Sequence, residues 1–168
     1  MDSRKYYKDM NKKGREIIDQ LKNSKLPVII AGAGIVGKVL YSVCKKEGVK
    51  VECFCDSSEK VAGGEFCGLK VWQTANLRQK FPDANILISA AAIKDVVDLL
   101  SHLGFKHWKA GGLLLDDWNV DQKNEDASLD YEKYAIENCI LCHKGFLNPQ
   151  KIFIRSIDII ITERCSLK

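Results

Sequence analysis

No apolar run in the 168 residues approaches the roughly 20 needed to cross a bilayer as a helix. The opening Met1-Asp2-Ser3-Arg4-Lys5 leads into further charge instead of an apolar core, so no secretory leader is expected. No membrane partner and a cytoplasmic location follow as expectations. Internal repeats and low-complexity tracts are lacking too, which argues against a solenoid or a disordered tail. Also missing is a basic stripe interleaved with aromatics, the usual footprint of a nucleic-acid reader, so no nucleic-acid partner is expected. The seven cysteines are an odd number. In a reducing compartment they read as buried thiols or metal ligands before disulfides.

What is present describes a folded protein of about one domain. The apolar fraction is 46% and the charged fraction 29%, both ordinary for a globular chain. The net charge of +4 resides in residues 1–25, which carry eight Lys/Arg against four Asp/Glu, while the remainder balances. Tyr6, Tyr7, Met10, Ile17, Ile18 and Leu21 recur at spacings of three and four, which predicts an amphipathic helix over roughly 3–23. Lys5, Lys8, Lys12, Lys13 and Arg15 fall around its polar face.

Val28-Ile29-Ile30-Ala31 is a short apolar run suited to a strand covered on both faces. It enters Gly32-Ala33-Gly34-Ile35-Val36-Gly37, after which residues 35–47 read as a helix ending at Gly48. A second strand over 49–55 ends at Asp56 and completes a βαβ unit. Gly63, Gly64 and Gly68 signal turns around a short edge strand near Leu69-Lys70-Val71. Thr74 is the expected N-cap of a short helix to Lys80. A buried strand over 84–90, a helix over 94–103 and a strand over 105–108 follow. This alternation predicts an α/β fold, a Rossmann-like doubly wound parallel sheet of four or five strands over residues 27–112. The N-terminal helix precedes it. An acidic linker and helix (113–150) and an apolar strand (151–168) follow it as a C-terminal helical and extended extension.

A G-x-G-x-x-G pattern means little alone. Here it follows a strand, opens a helix and has an acid nineteen residues beyond Gly37. Gly32 would permit the tight turn, Gly34 would let the backbone approach a pyrophosphate, and Gly37 would let helix and strand pack closely. Free N–H groups at the helix start, around Ala33, Ile35 and Val36, would attract phosphate. Asp56, with Ser57 beside it, would accept hydrogen bonds from ribose hydroxyls. The competing reading is that the glycines serve only a tight turn in a ligand-free interaction module.

The stretch from Val28 to Val71, with its IIAGAGIVGK loop and CFCDSSEK and GLKV continuations, resembles the Rossmann domains of sugar-biosynthesis proteins. That resemblance implies a nucleotide-sugar or dinucleotide, NAD(P) included, as the small-molecule ligand. No His, Lys or Tyr set of a dehydrogenase is recognisable, which sets an NAD-dependent oxidoreductase domain second. Homo-oligomer formation is left open.

Cys44, Cys53, Cys55 and Cys67 fall in or beside the sheet elements, where cysteine behaves as a small hydrophobe. Cys139-Ile140-Leu141-Cys142-His143 matches a haem-attachment pattern, but that chemistry needs export, and a zinc site would lack a fourth ligand. The tail from Ser156 to Lys168, with Thr162-Glu163-Arg164-Cys165-Ser166-Leu167-Lys168, resembles the opening of a radical S-adenosylmethionine enzyme. In that family three cysteines in C-x-x-x-C-x-x-C hold a [4Fe-4S] cluster whose fourth iron binds S-adenosylmethionine. The resemblance implies that Cys165 is a cluster ligand in a longer parent chain only. The expectation is a non-catalytic fragment: the nucleotide-binding N-terminal domain of a radical enzyme in glycan or polysaccharide metabolism.

Overall fold

A computed structural model of the chain describes residues 10–116 and 127–151. Beyond Lys151 the strand expected over 151–168, together with Cys165, lies outside the described residues, as do residues 117–126 of the acidic linker and Tyr6 and Tyr7.

Helix α1 spans Lys12–Asn23, beginning later than the apolar spacing suggests. Asn11 is the reason: its side chain accepts the Gly14 N–H at 2.8 Å and so caps the helix. Met10 therefore precedes the helix, yet still packs on the core. Strand β1 (Val28–Ala31) is buried along its whole length. Helix α2 (Ile35–Lys46) turns Val36, Val39, Leu40, Val43 and Cys44 inward at three- and four-residue spacing. Strand β2 (Val51–Asp56) follows.

Strands β3 (Glu65–Phe66) and β4 (Leu69–Gln73) form a tight hairpin. Its two turn residues, Cys67 (φ 54) and Gly68 (φ 77), both take the left-handed conformation demanded when two residues link twisted strands. A 3-10 turn (Thr74–Asn76) and helix α3 (Leu77–Lys80) come next. Thr74 opens that turn as a buried residue instead of capping it; Gln73 holds the cap position, without a side-chain capping bond.

Strand β5 is Asn85–Ile88, helix α4 Ile93–His102 and strand β6 Trp108–Ala110. The last strand starts three residues after its expected position. Gly104 (φ 80) ends α4 in a Schellman turn, with Phe105 N–H bonding Leu100 O at 2.9 Å. Phe105 is the apolar residue that closes this cap and is buried there, not in the sheet. A 3-10 turn (Gly111–Leu115) then carries five buried residues, and helix α5 spans Ala127–Leu147.

The strand order is β3-β4-β2-β1-β5-β6, six strands where four or five were expected; the hairpin's edge strand adds to the count. All neighbours are parallel except β3 with β4. The register sets Ile30 beside both Phe54 and Leu87. Those three side chains and Ile29, Ile86 and Ile88 have no exposed surface. The chain is a Rossmann-like α/β fold. Because β1 connects toward β2 and β5 toward β6, right-handed crossovers put α2 and α4 on opposite faces. The connection reverses between β1 and β5, and the carboxyl end of that junction is where open α/β sheets take ligands.

Candidate functional site

The glycine loop sits at this junction. Gly32 leaves β1 with φ 110, its N–H bonded to Cys55 O at 2.8 Å. A Cβ on Gly32 would stand 2.4 Å from Ser89 Oγ, and one on Gly37 only 2.1 Å from Gly32 O. Gly34 differs: a Cβ there would meet nothing within 4 Å. Gly37 is thus required by backbone crossing backbone and Gly32 by its left-handed φ and the Ser89 hydroxyl above it, while the third glycine leaves an open approach.

Gly34 is also the N-cap of α2, in extended conformation and with no side chain to cap the helix. The first helical bond runs from Lys38 N–H to Gly34 O at 2.9 Å. The amides of Ile35, Val36 and Gly37 therefore belong to the first turn, whose N–H groups have no intrahelical acceptor and carry the positive end of the dipole.

Ala33 does not offer its amide freely, because Asp56 Oδ2 accepts it at 2.9 Å. Asp56 Oδ1 accepts the Ser58 N–H, also at 2.9 Å. This fixes the carboxylate across the mouth of the loop. Each oxygen keeps a second lone pair for a further donor. Ser57 adjoins it, and its carbonyl accepts the Gln73 amide at 3.1 Å. Gln73 Oε1 is buried with no partner among the described residues, an open acceptor beside Ser57.

The enclosed part of the cleft measures about 90 Å³ and is lined by Ala31, Gly32, Asp56, Thr74, Ala90 and Leu99, among others. That is the scale of one small ring, against 300–1,000 Å³ for pockets that swallow a drug-sized ligand. A larger ligand would lie along the open loop with one group inserted. Cys55 floors the cleft as a neutral thiol, pushed up to about 12 chiefly by burial. Asp56 is the one carboxylate in the lining. The cleft thus offers hydrogen-bond acceptors and amides, and no activated nucleophile or imidazole.

Sequence reasoning missed the support beneath this loop. Ser89, at the end of β5, directs its hydroxyl at Ala31 O (2.8 Å) and Gly32 O (3.0 Å). Helix α5 holds Ser89 and its neighbour in turn. Cys139 Sγ donates to Ser89 O at 3.4 Å. His143 takes the Gly112 N–H on Nδ1 at 3.0 Å, so Nε2 carries the proton and donates to Ala90 O at 2.8 Å. His143 is fully buried, and burial lowers its basicity despite the nearby carbonyls of Ala90 and Ala110, which favour the protonated ring. The Cys-x-x-Cys-His run is accordingly a packing face: Cys142 turns to Asn138 instead of joining Cys139. Cys44, Cys53 and Cys139 are likewise buried thiols raised to about 12 by desolvation.

No family model matches the chain. Over 86 residues it is 34% identical to the redox-sensing transcriptional repressor Rex of Syntrophomonas wolfei, an overlap of 47% of this chain and 41% of that protein. The chain thus matches about two-fifths of its relative's length. The similarity supports the Rossmann-like fold. No helix among the described residues is long and apolar enough to cross a membrane.

Proposed function

We propose that the domain binds a dinucleotide of the NAD(H) type and holds or senses it without transforming it. The observation that carries this reading is the division of labour among the glycines: Gly32 packed under the Ser89 hydroxyl, Gly37 against the Gly32 carbonyl, and Gly34 open in front of uncapped amides. The pyrophosphate would lie over Gly34, Ile35 and Val36, drawn by the first-turn N–H groups. A ribose would enter the small cleft and donate to Asp56, with Ser57 and Gln73 beside it. A fixed carboxylate repels a 2′-phosphate, so NADP(H) is disfavoured. A relative described as redox-sensing favours a ligand with two oxidation states over a nucleotide-sugar. The lack of an activated acid, base or nucleophile in the cleft lining favours holding over hydride transfer.

Titration of NADH, NAD+, NADPH and UDP-sugars against the purified chain tests this, read by NADH fluorescence and calorimetry. NADH or NAD+ should bind below about 1 mM, a free energy beyond roughly −4 kcal/mol. No binding in that range, or a UDP-sugar binding tighter than both, overturns the reading. The [4Fe-4S] and S-adenosylmethionine chemistry of a longer parent is a separate proposal that rests on Cys165 and its neighbours alone. It stands or falls on whether cysteines occupy the fourth and seventh positions after Cys165 in the gene. Neither the fold nor the relative supports the glycan part of the expectation.

A further inference from the structure

Residues 26–168 carry equal numbers of basic and acidic side chains, but the fold sorts them. Each parallel strand is entered from the same edge of the sheet, opposite the glycine loop. Lys22 and Lys25 precede β1, Lys45 and Lys50 precede β2, Lys80 precedes β5 and Lys106 precedes β6; all six are exposed. In the sheet these strands are consecutive, β2-β1-β5-β6, so the cations form a row across three strand spacings, roughly 14 Å. Of the acids along the same edge, Glu47 pairs with Arg15 at 2.6 Å and Glu52 with Lys50 at 2.6 Å, and Asp83 lies 3.6 Å from His107, so Lys22, Lys25, Lys45, Lys80 and Lys106 carry the row's charge. Lys22, Lys25 and Lys50 also line a depression of about 480 Å³ between the ends of α1 and α2.

We propose that this amino edge of the sheet binds the phosphate backbone of duplex nucleic acid, without base readout. Lysines in the last turns of α1 and α2 complement the helix dipoles, which accounts for Lys22 and Lys45. Lys50 pairs with Glu52, whereas Lys25 and Lys106 lie beyond the helix ends, where no dipole requires them. The row's partner is a linear polyanion for two reasons. The large apolar side chains exposed among the described residues, Val61, Tyr131, Tyr134 and Leu147, belong to none of the segments that enter β1, β2, β5 or β6, so the described part of this edge lacks the wedge that membrane binding uses. Nor, among the described residues, is a large aromatic exposed there for stacking unpaired bases, which favours duplex over single strands. The expectation from the sequence was of no nucleic-acid partner; the row exists only once the strands are side by side. The inference does not depend on the dinucleotide reading.

Fluorescence anisotropy with a labelled duplex of arbitrary sequence tests it. About four phosphate contacts give a slope near −4 in log affinity against log salt, a loss of roughly 10²-fold between 50 and 200 mM. The triple variant Lys22→Gln, Lys25→Gln, Lys106→Gln should flatten that slope by about three. The triple Lys12→Gln, Lys60→Gln, Lys94→Gln removes the same charge elsewhere and should leave the slope unchanged. No duplex binding at 50 mM salt, or equal losses in both triples, overturns the proposal. So does lysine-dependent sedimentation with phosphatidylserine vesicles at concentrations where duplex does not bind.

Discussion

Replacing His143 tests whether the glycine loop is held from α5. In His143→Ala the Gly112 N–H and the Ala90 carbonyl both lose their partner in a site closed to water. A buried group left unpaired costs about 1–3 kcal/mol, so two cost roughly 2–6 kcal/mol, a large share of a domain's usual 5–15. The pH dependence makes the test specific. Burial lowers the folded-state pKa of His143 below its unfolded value near 6.5, so the unfolded chain binds the proton more readily. The stabilisation is therefore fully present above about pH 6.5 and is lost as pH falls below it. The loss per pH unit reaches at most about 1.4 kcal/mol. Urea unfolding at pH 8 and at pH 5.5 should show a steeper loss in the natural protein than in His143→Gln, which cannot titrate. Identical pH slopes in the two, or a cost under about 1 kcal/mol for His143→Ala at pH 8, would refute the clamp.

Gly37→Ala should destabilise by at least about 1–3 kcal/mol in urea, because its methyl meets Gly32 O and backbone must move. Gly34→Ala meets nothing, and should cost under about 1 kcal/mol while weakening NADH binding roughly tenfold; unchanged affinity would place the pyrophosphate elsewhere. Asp56→Asn turns an amide toward one of two backbone donors, and should weaken NADH about tenfold while narrowing discrimination against NADPH, read by parallel titrations. Cys67→Gly should raise stability by about 1 kcal/mol, since glycine takes the left-handed turn without strain; a lower melting temperature would contradict the turn assignment. In the native protein at pH 8, Cys44, Cys53, Cys55 and Cys139 should resist Ellman's reagent, with mass spectrometry reporting the sites; early labelling of Cys55 would show that the cleft floor opens.

The parts legible in the sequence are those encoded by neighbours. Val28 to Asp56 reads as strand, loop, helix and strand because its periodicity changes from continuous to helical at the glycines, and the structure follows within two residues. Gly32, Gly34, Gly37 and Asp56 come together because one βαβ unit brings the ends of β1 and β2 side by side. Where the reading slipped, a local competitor won. Asn11 captured the start of α1, and Phe105 served a helix cap instead of a strand. The two-residue β3 is too short to leave a periodic signal. Ser89 and His143 were not legible at all. Their bonds span 57 and 53 positions of chain, and nothing in either neighbourhood distinguishes a serine or histidine that supports backbone from one that is merely buried.

That non-local support changes what the ligand-binding unit must contain. Ile136, Cys139, Ile140 and His143 recur at three- and four-residue spacing, so one face of α5 is buried. It lies against the 3-10 turn of Leu113, Leu114 and Leu115, which a chain ending at Gly112 would lack. Through Cys139 and His143 this face satisfies Ser89 O, Ala90 O and Gly112 N–H, the groups that leave β5 and β6 at the carboxyl edge. Ser89 in turn sets the carbonyls of Ala31 and Gly32, and a shift there moves the loop on which Gly34 presents its amides. A pyrophosphate held by backbone N–H groups tolerates little displacement, because such bonds weaken steeply outside 2.7–3.2 Å. The helix α5 that follows the Rossmann unit therefore sets the geometry of the loop that reads as its ligand site.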